Sequence, residues 1–175
     1  NADNERKLTQ PDPYSGFMMG FNPCRPTSTG WVNIASPDPE VAPRMSGDYL
    51  STQKDLDDVV AMARLLGRIQ DTKGLSSLLL EPPQLDLSTM TDADIIRDFQ
   101  QRATTVYHPC GTCRMGPEPD RAVVDAKLRV HGIEALRVVD ASVFPNITSA
   151  NTNAPTLMVA HRAAQMILTT ADRKP

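Results

Sequence analysis

Apolar positions recur at intervals of three and four residues in three parts of the chain, which predicts three helices. The first begins near Gln53, with Ser51 as its candidate cap, and ends at Lys73 and Gly74. The second starts at Thr91, where an acid follows three residues later, and continues through Arg102. The third runs from Pro155 to about Thr170, with proline in the first turn, where its missing N–H costs little.

Shorter apolar runs predict strands. Two of them, GFMMGFN at 16–22 and WVNIAS at 31–36, are separated by a turn-like loop and fit a pair of strands. Residues 128–139 alternate around the tight turn HGIEA and predict a hairpin-like pair that leads to Asp140 and Ala141. Three prolines exclude regular helix from 37–50, so this segment is predicted to be a crossing loop. Residues 1–15 are predicted to be a polar linker or arm.

Composition narrows the class of protein. The chain has 175 residues, 18 scattered basic residues and a net charge of −3, which argues against a nucleic-acid partner. The sequence has no apolar run of the roughly 20 residues that a membrane span needs. The polar start has no signal-peptide core, and the cysteine count of three is odd, so a reducing, cytoplasmic location is expected. One Trp, three Tyr and four Phe are few for a self-sufficient core, so the chain is expected to rest against something else.

The stretch YHPCGTCRMG at 107–116 contains a CxxC pair, Cys110 and Cys113. A structural zinc site usually takes four ligands, and the sequence has no second pair, so no metal site is predicted. A thioredoxin-like dithiol needs a following helix, which the sequence up to Pro117 does not allow, and haem attachment needs a histidine where Arg114 stands. The two cysteines are therefore predicted to be small packing residues in a glycine-containing turn.

His108 precedes this pair, and a lone histidine is more often a structural residue than a catalyst. A second segment, ITSANTNAPT at 147–156, places two asparagines directly before the predicted third helix. The start of a helix presents backbone N–H groups and partial positive charge, so it can hold an anion or an electron-rich carbonyl. Asn153 can also be a simple N-cap.

Three segments together resemble the glucose-methanol-choline (GMC) family of flavin oxidoreductases, and specifically its C-terminal portion. They are NPCRPTSTGWVNIASPDPEVAPRMSGDYLSTQKDLDDVV at 22–60, YHPCGTCRMG at 107–116, and LRVHGIEALRVVDASVFPNITSANTNAPTLMVAHRAAQMI at 128–167. The second is similar to the HxxGTxRMG block of the family. The likeness covers the chain from about Phe17 to Leu168.

The resemblance implies oxidation of a small-molecule alcohol to a carbonyl, with hydride passing to the flavin of FAD. It implies that His108 is the catalytic base or hydrogen-bond partner of the substrate hydroxyl, and that Asn153 fills the second active-site position. His131 and His161 match no catalytic position and are expected to be surface or structural residues. The implied cofactor-binding residues are Tyr107, Asp140, Ala141, Asn151, Thr152, Asn153, Ala154, Pro155 and Thr156.

The sequence contains no GxGxxG, the motif that lets a pyrophosphate approach a helix start. The resemblance therefore implies a complementary N-terminal FAD-binding chain of the same enzyme, or an excised piece. The implied fold is α+β. Residues 16–105 are expected to form an antiparallel sheet with flanking helices, the substrate-binding domain, and residues 106–175 the active-site and flavin-facing part of an FAD-binding α/β domain. Two alternatives stay open: a flavin-fold lyase that cleaves cyanohydrins, and a non-catalytic binding or structural subunit.

Overall fold

The computed structural model describes residues 15–171, and their side chains as far as Thr169. Most of the predicted linker, residues 1–14, lies outside the described residues. The described chain divides into two compact units, one made of 15–23 and 49–106 and the other of 24–48 and 107–171. The expected division into substrate-binding and flavin-side domains at 105/106 stays a prediction.

The first unit is helical. Its helices are α1 (Gln53–Gln70), α2 (Lys73–Ser76) and α3 (Asp92–Arg102). The first two predicted helices are confirmed as α1 and α3, but α1 ends at Gln70, and the short α2 begins where the first helix was predicted to end. α1 buries residues four apart, Val59 and Ala63, which form a core with Leu87 and Ile95. The apolar stripe in the sequence thus becomes the contact between α1 and α3.

The starts of these two helices differ in how they are capped. Thr91 caps α3 as predicted, because its side chain accepts a hydrogen bond from the backbone N–H of Asp94. The expectation that Ser51 caps α1 is wrong. The N-cap position falls on Thr52, and the Thr52 side chain makes no capping hydrogen bond.

Residues 16–22 were predicted to be a strand, and this prediction is wrong. The segment has no regular secondary structure. The ring of Phe21 stacks on that of Phe99 in α3, with centroids 5.5 Å apart and planes at 17°. Phe21 thus packs against a helix instead of pairing in a strand.

The second unit contains a two-stranded antiparallel sheet, β1 (Trp31–Asn33) and β2 (Arg44–Ser46), with Val32 opposite Met45. The strand at 31–33 was predicted, but its partner lies in the segment predicted to be a crossing loop. Three prolines exclude helix there, yet β2 begins directly after Pro43, a position where a strand tolerates proline. Within the described residues the fold is α+β, and its sheet is smaller than predicted.

The core of the second unit lies under α4 (Asn153–Ala171), which confirms the third predicted helix and begins two residues earlier than predicted. The predicted pairing across 128–139 is also confirmed: Val130 N–H donates to Leu136 O and Val138 N–H to Leu128 O. The pairing takes the form of one isolated antiparallel bridge, between Arg129 and Arg137. The buried residues of this second-unit core are Val124, Leu128, Val143, Phe144, Val159 and Ala163.

No helix in the described part of the chain has the length and apolar character to cross a membrane.

Candidate active site

The structure brings His108 to the start of α4. Its ring nitrogen Nδ1 lies 3.2 Å from Oγ1 of Thr152, a residue 44 positions away in the sequence. His108 is half-buried, and Thr152 is only 9% exposed. The two segments that the sequence singled out, YHPCGTCRMG and ITSANTNAPT, therefore meet through a side-chain contact.

The backbone around His108 is tightly constrained. Pro109 follows it and disfavours helical backbone at the preceding residue. Tyr107 has φ 59° and Gly111 has φ 92°, both in the left-handed region, so the chain turns sharply on either side of the histidine. Left-handed backbone at a residue with a side chain costs energy and is often found at functional sites.

Two backbone hydrogen bonds tie this turn to the segment 140–143. Cys113 N–H donates to Ser142 O at 3.0 Å, and Met115 N–H donates to Val143 O at 2.8 Å. Asp140 is exposed and shapes the second segment, because its Oδ1 accepts the N–H of Ser142 at 2.7 Å and starts a 3-10 turn at Ala141. The turn at 140–142 and the histidine loop, residues 107–116, are thus joined by backbone hydrogen bonds.

The start of α4 is organised by Thr152. Its carbonyl oxygen accepts the first helical bond, from Thr156 N–H at 3.0 Å, and also the Thr156 hydroxyl at 2.7 Å. Thr152 therefore holds the N-cap position, and the reading of Asn153 as N-cap is wrong. Asn153 is the first helical residue, and like Asn151 and Ala154 it is exposed. These residues stand where the positive end of the helix meets its surroundings.

Cys110 is a packing group, as predicted. It packs against the core of the second unit, and burial raises the pKa of its thiol. The same role for Cys113 stays a prediction. A raised pKa disfavours the thiolate that redox or metal chemistry needs. All three cysteines of the chain are thiols in the structure. Across residues 15–171 there is no group of three or more His, Cys, Asp or Glu side chains that could hold a metal ion.

The two remaining histidines have structural or surface positions, as expected. Nε2 of His131 lies 3.0 Å from Gly116 O in a half-buried position. His161 is exposed on α4 beside Gln165.

Sequence reasoning missed the contact between Thr152 and His108, because Thr152 was expected only on the cofactor side. A signal was present in the sequence. A threonine at an N-cap normally bonds the N–H of one of the next residues, often the third, and here the third is Pro155, which has none. The hydroxyl is thereby available for another partner.

The arrangement suits acid-base chemistry beside an electron-rich group. An imidazole is held at one nitrogen by a hydroxyl, and imidazole is the side chain that exchanges protons near neutral pH. The start of a 19-residue helix lies beside it and favours negative charge.

Comparison with known proteins identifies the family. The GMC oxidoreductase family profile matches residues 26–160. The oxygen-dependent choline dehydrogenase of Vibrio vulnificus (strain YJ016) is 41% identical over 154 residues, which is 87% of this chain and 28% of that protein. The alcohol dehydrogenase [acceptor] of Pseudomonas putida is 36% identical over 157 residues, 90% of this chain and 28% of that protein.

A solved structure agrees. The FAD-dependent oxidoreductase from Chaetomium thermophilum superimposes with a TM-score of 0.76 at 26% identity, over 85% of this chain and 26% of that one. The chain therefore spans about a quarter of the length of the relatives it matches. With a family profile that covers most of its length, the chain belongs to the GMC oxidoreductase family, as a C-terminal portion.

Proposed function

We propose that this chain supplies the proton-transfer side of an FAD-dependent oxidoreductase that oxidises an alcohol to a carbonyl. The observation that carries the proposal is the placement of His108 against the start of α4, where Nδ1 lies 3.2 Å from the Thr152 hydroxyl. The family, together with the choline and alcohol dehydrogenases among its relatives, supports the reaction class. Choline and simple primary alcohols are the first substrates to test.

In this proposal His108 accepts the proton of the substrate hydroxyl. Hydride leaves a carbon more readily when the attached oxygen is losing its proton, and a positioned imidazole can take that proton near neutral pH. Nδ1 faces Thr152, so Nε2 is the nitrogen that remains for the substrate. The half-buried position limits the access of water to the ring.

Asn153 is proposed to hold the substrate oxygen. Its amide can donate a hydrogen bond to that oxygen, but it cannot take the proton, so the base is His108 alone. Asn153 is exposed and one residue from Thr152, so it and His108 are both anchored at the same helix start.

FAD, when bound, accepts the hydride. The residues proposed to face its ring fit that task. Asn153 and Ala154 are exposed at the positive end of α4, which suits the electron-rich edge of a flavin. Asp140, Ala141 and the exposed ring of Tyr107 are proposed to complete the contact. The chain has no GxGxxG motif for the pyrophosphate, so these residues are proposed to hold only the flavin end of the cofactor.

The rest of the cofactor is proposed to be held by an N-terminal FAD-binding part of the same enzyme. Support comes from apolar side chains that the second unit leaves exposed. On α4, Leu157 is 64% exposed and Leu168 65%, opposite the buried Val159 and Ala163. A helix that is apolar on opposite faces is usually buried on both.

The test is the reductive half-reaction of the flavin-loaded enzyme that contains this chain. Replacing the imidazole by His108→Ala is expected to lower the rate of alcohol-driven flavin bleaching by about two to four orders of magnitude, the usual reach of acid-base catalysis. Asn153→Ala is expected to lower it less. Stopped-flow absorbance under anaerobic conditions measures both.

The control is His131→Gln, which removes an imidazole of structural role and keeps a donor that can reach Gly116 O. A bleaching rate for His108→Ala equal to that of this control contradicts the proposal. A wild-type enzyme that binds FAD, releases cyanide from a cyanohydrin and is bleached by no alcohol is a lyase, and that outcome also overturns it.

A further inference from the structure

The hydroxyl of Thr152 stands at an unusual point in the chain. Thr152 holds the N-cap position of α4, where a threonine side chain normally accepts a hydrogen bond from the N–H of the second or third helical residue. The third helical residue is Pro155, which has no N–H. The Thr152 hydroxyl instead lies beside His108 Nδ1, at 3.2 Å.

We propose that Thr152 is a positioning residue, which accepts a hydrogen bond from Nδ1–H of His108 and holds the ring in the tautomer whose Nε2 lone pair is open to the substrate. This inference rests on the proposed function, because only an acceptor nitrogen at Nε2 can take the hydroxyl proton. A neutral imidazole carries one proton, so a protonated Nδ1 leaves Nε2 unprotonated.

The surroundings of Thr152 make it suited to this role. The residue is 9% exposed, so few water molecules compete for its hydroxyl. Its carbonyl accepts two hydrogen bonds from Thr156, which fixes its backbone to the first turn of the helix. The orientation of the His108 ring is thereby set by α4, the same element that carries Asn153.

The test reads the tautomer directly. ¹⁵N NMR of the enzyme, with histidine ring nitrogens labelled and His108 assigned by difference from His108→Ala, distinguishes Nδ1–H from Nε2–H at alkaline pH. We expect Nδ1–H at His108 in the wild type, although free histidine in water favours Nε2–H. We expect Thr152→Ser, which keeps the hydroxyl, to keep Nδ1–H, and Thr152→Val, which has the same shape without it, to lose it.

Kinetics supply the second readout. Thr152→Val is expected to slow flavin reduction roughly three- to ten-fold, the value of one net hydrogen bond, with Thr152→Ser close to wild type. An Nε2–H tautomer in the wild type overturns the inference, as does a serine variant as slow as the valine variant. If the valine variant does not fold, the wild-type and serine tautomers decide. Full activity of His108→Ala contradicts the proposed function instead. The tautomer result then holds for the His108 ring independently of the proposed function.

Discussion

At the scale of single residues, Asp125 shows how one carboxylate organises a turn next to the core of the second unit. Oδ1 accepts the N–H groups of Lys127 and Arg129 at 2.8 and 2.9 Å, and Oδ2 accepts from Arg129 Nε at 2.8 Å. Burial raises the pKa of Asp125, but these hydrogen bonds and the Arg129 charge outweigh it and lower the pKa from 3.8 to about 2.

This pKa predicts a pH dependence. Because the folded-state pKa lies below 3.8, the ionised carboxylate stabilises the fold above 3.8, and that contribution is lost as the pH falls toward about 2. Asp125→Asn is expected to lower the midpoint temperature of thermal unfolding near neutral pH. It should also make this midpoint fall less steeply as the pH drops below 3.8. Glu118→Gln, which breaks a longer ion pair of 3.7 Å to Arg121, is the control and should change the dependence of the midpoint on pH less. The same dependence on pH in wild type and Asp125→Asn would contradict this account.

The site residues differ in how far the sequence could locate them. His108 and Asn153 were singled out by motif, and the structure puts both at one end of α4, with His108 in contact with Thr152 next to Asn153. Their catalytic and cofactor roles stay predictions. The Thr152 contact was missed because a hydrogen bond across 44 residues depends on how two loops dock. Pro155 indicates in the sequence that the Thr152 hydroxyl lacks one usual partner, but not which distant residue takes its place.

At the scale of elements, periodic apolar patterns predicted the long helices well. Apolar residues three and four positions apart lie on one face of a helix, and that face is the one that is buried. The stripe of α1 and the Thr91 cap of α3 are local features, and both were found. Of the two three-residue strands, β1 lies in a run that was predicted to be a strand, whereas β2 carries too little apolar pattern to be recognised. The apolar run 16–22 resembles a strand, and only the ring of Phe99 in another element explains the packing of Phe21.

The pairing of β1 and β2 depends on one glycine. A Cβ added at Gly30 would lie 2.0 Å from the carbonyl oxygen of Ser46, so the strands can approach only without a side chain there. Gly30→Ala is expected to destabilise the protein by about 1–3 kcal/mol, as overpacking typically does. Chemical denaturation measures the loss of stability, and faster amide hydrogen exchange within β1 and β2 locates it. Gly20→Ala is the matched control, because an added Cβ there meets nothing within 4 Å. Equal effects from both substitutions would rule out the clash.

At the scale of the whole molecule, the described chain exposes many large apolar side chains. Trp31 is 46% exposed, Met45 65% and Phe17 60%. The outer face of α4, which carries Leu157 and Leu168, is exposed as well. The low aromatic count predicted a chain that rests against something else, and this stays a prediction, which the exposed apolar side chains motivate. The chain spans 28% of the choline dehydrogenase that it matches.

The outer face of α4 gives this proposal a sharp test. Leu157→Asp places a charge on the exposed apolar face, and we expect it to weaken association with the N-terminal FAD-binding part, seen as loss of bound FAD on gel filtration. Thr169→Asp adds the same charge to α4 at an exposed polar position near the helix C-terminus, where an acid is less favourable for the helix itself. If α4 only needed to stay helical, Thr169→Asp would be the more harmful change. If the exposed apolar face of α4 is an interface, Leu157→Asp is the more harmful change. Equal FAD retention by the two variants would remove the argument that α4 is buried on both faces.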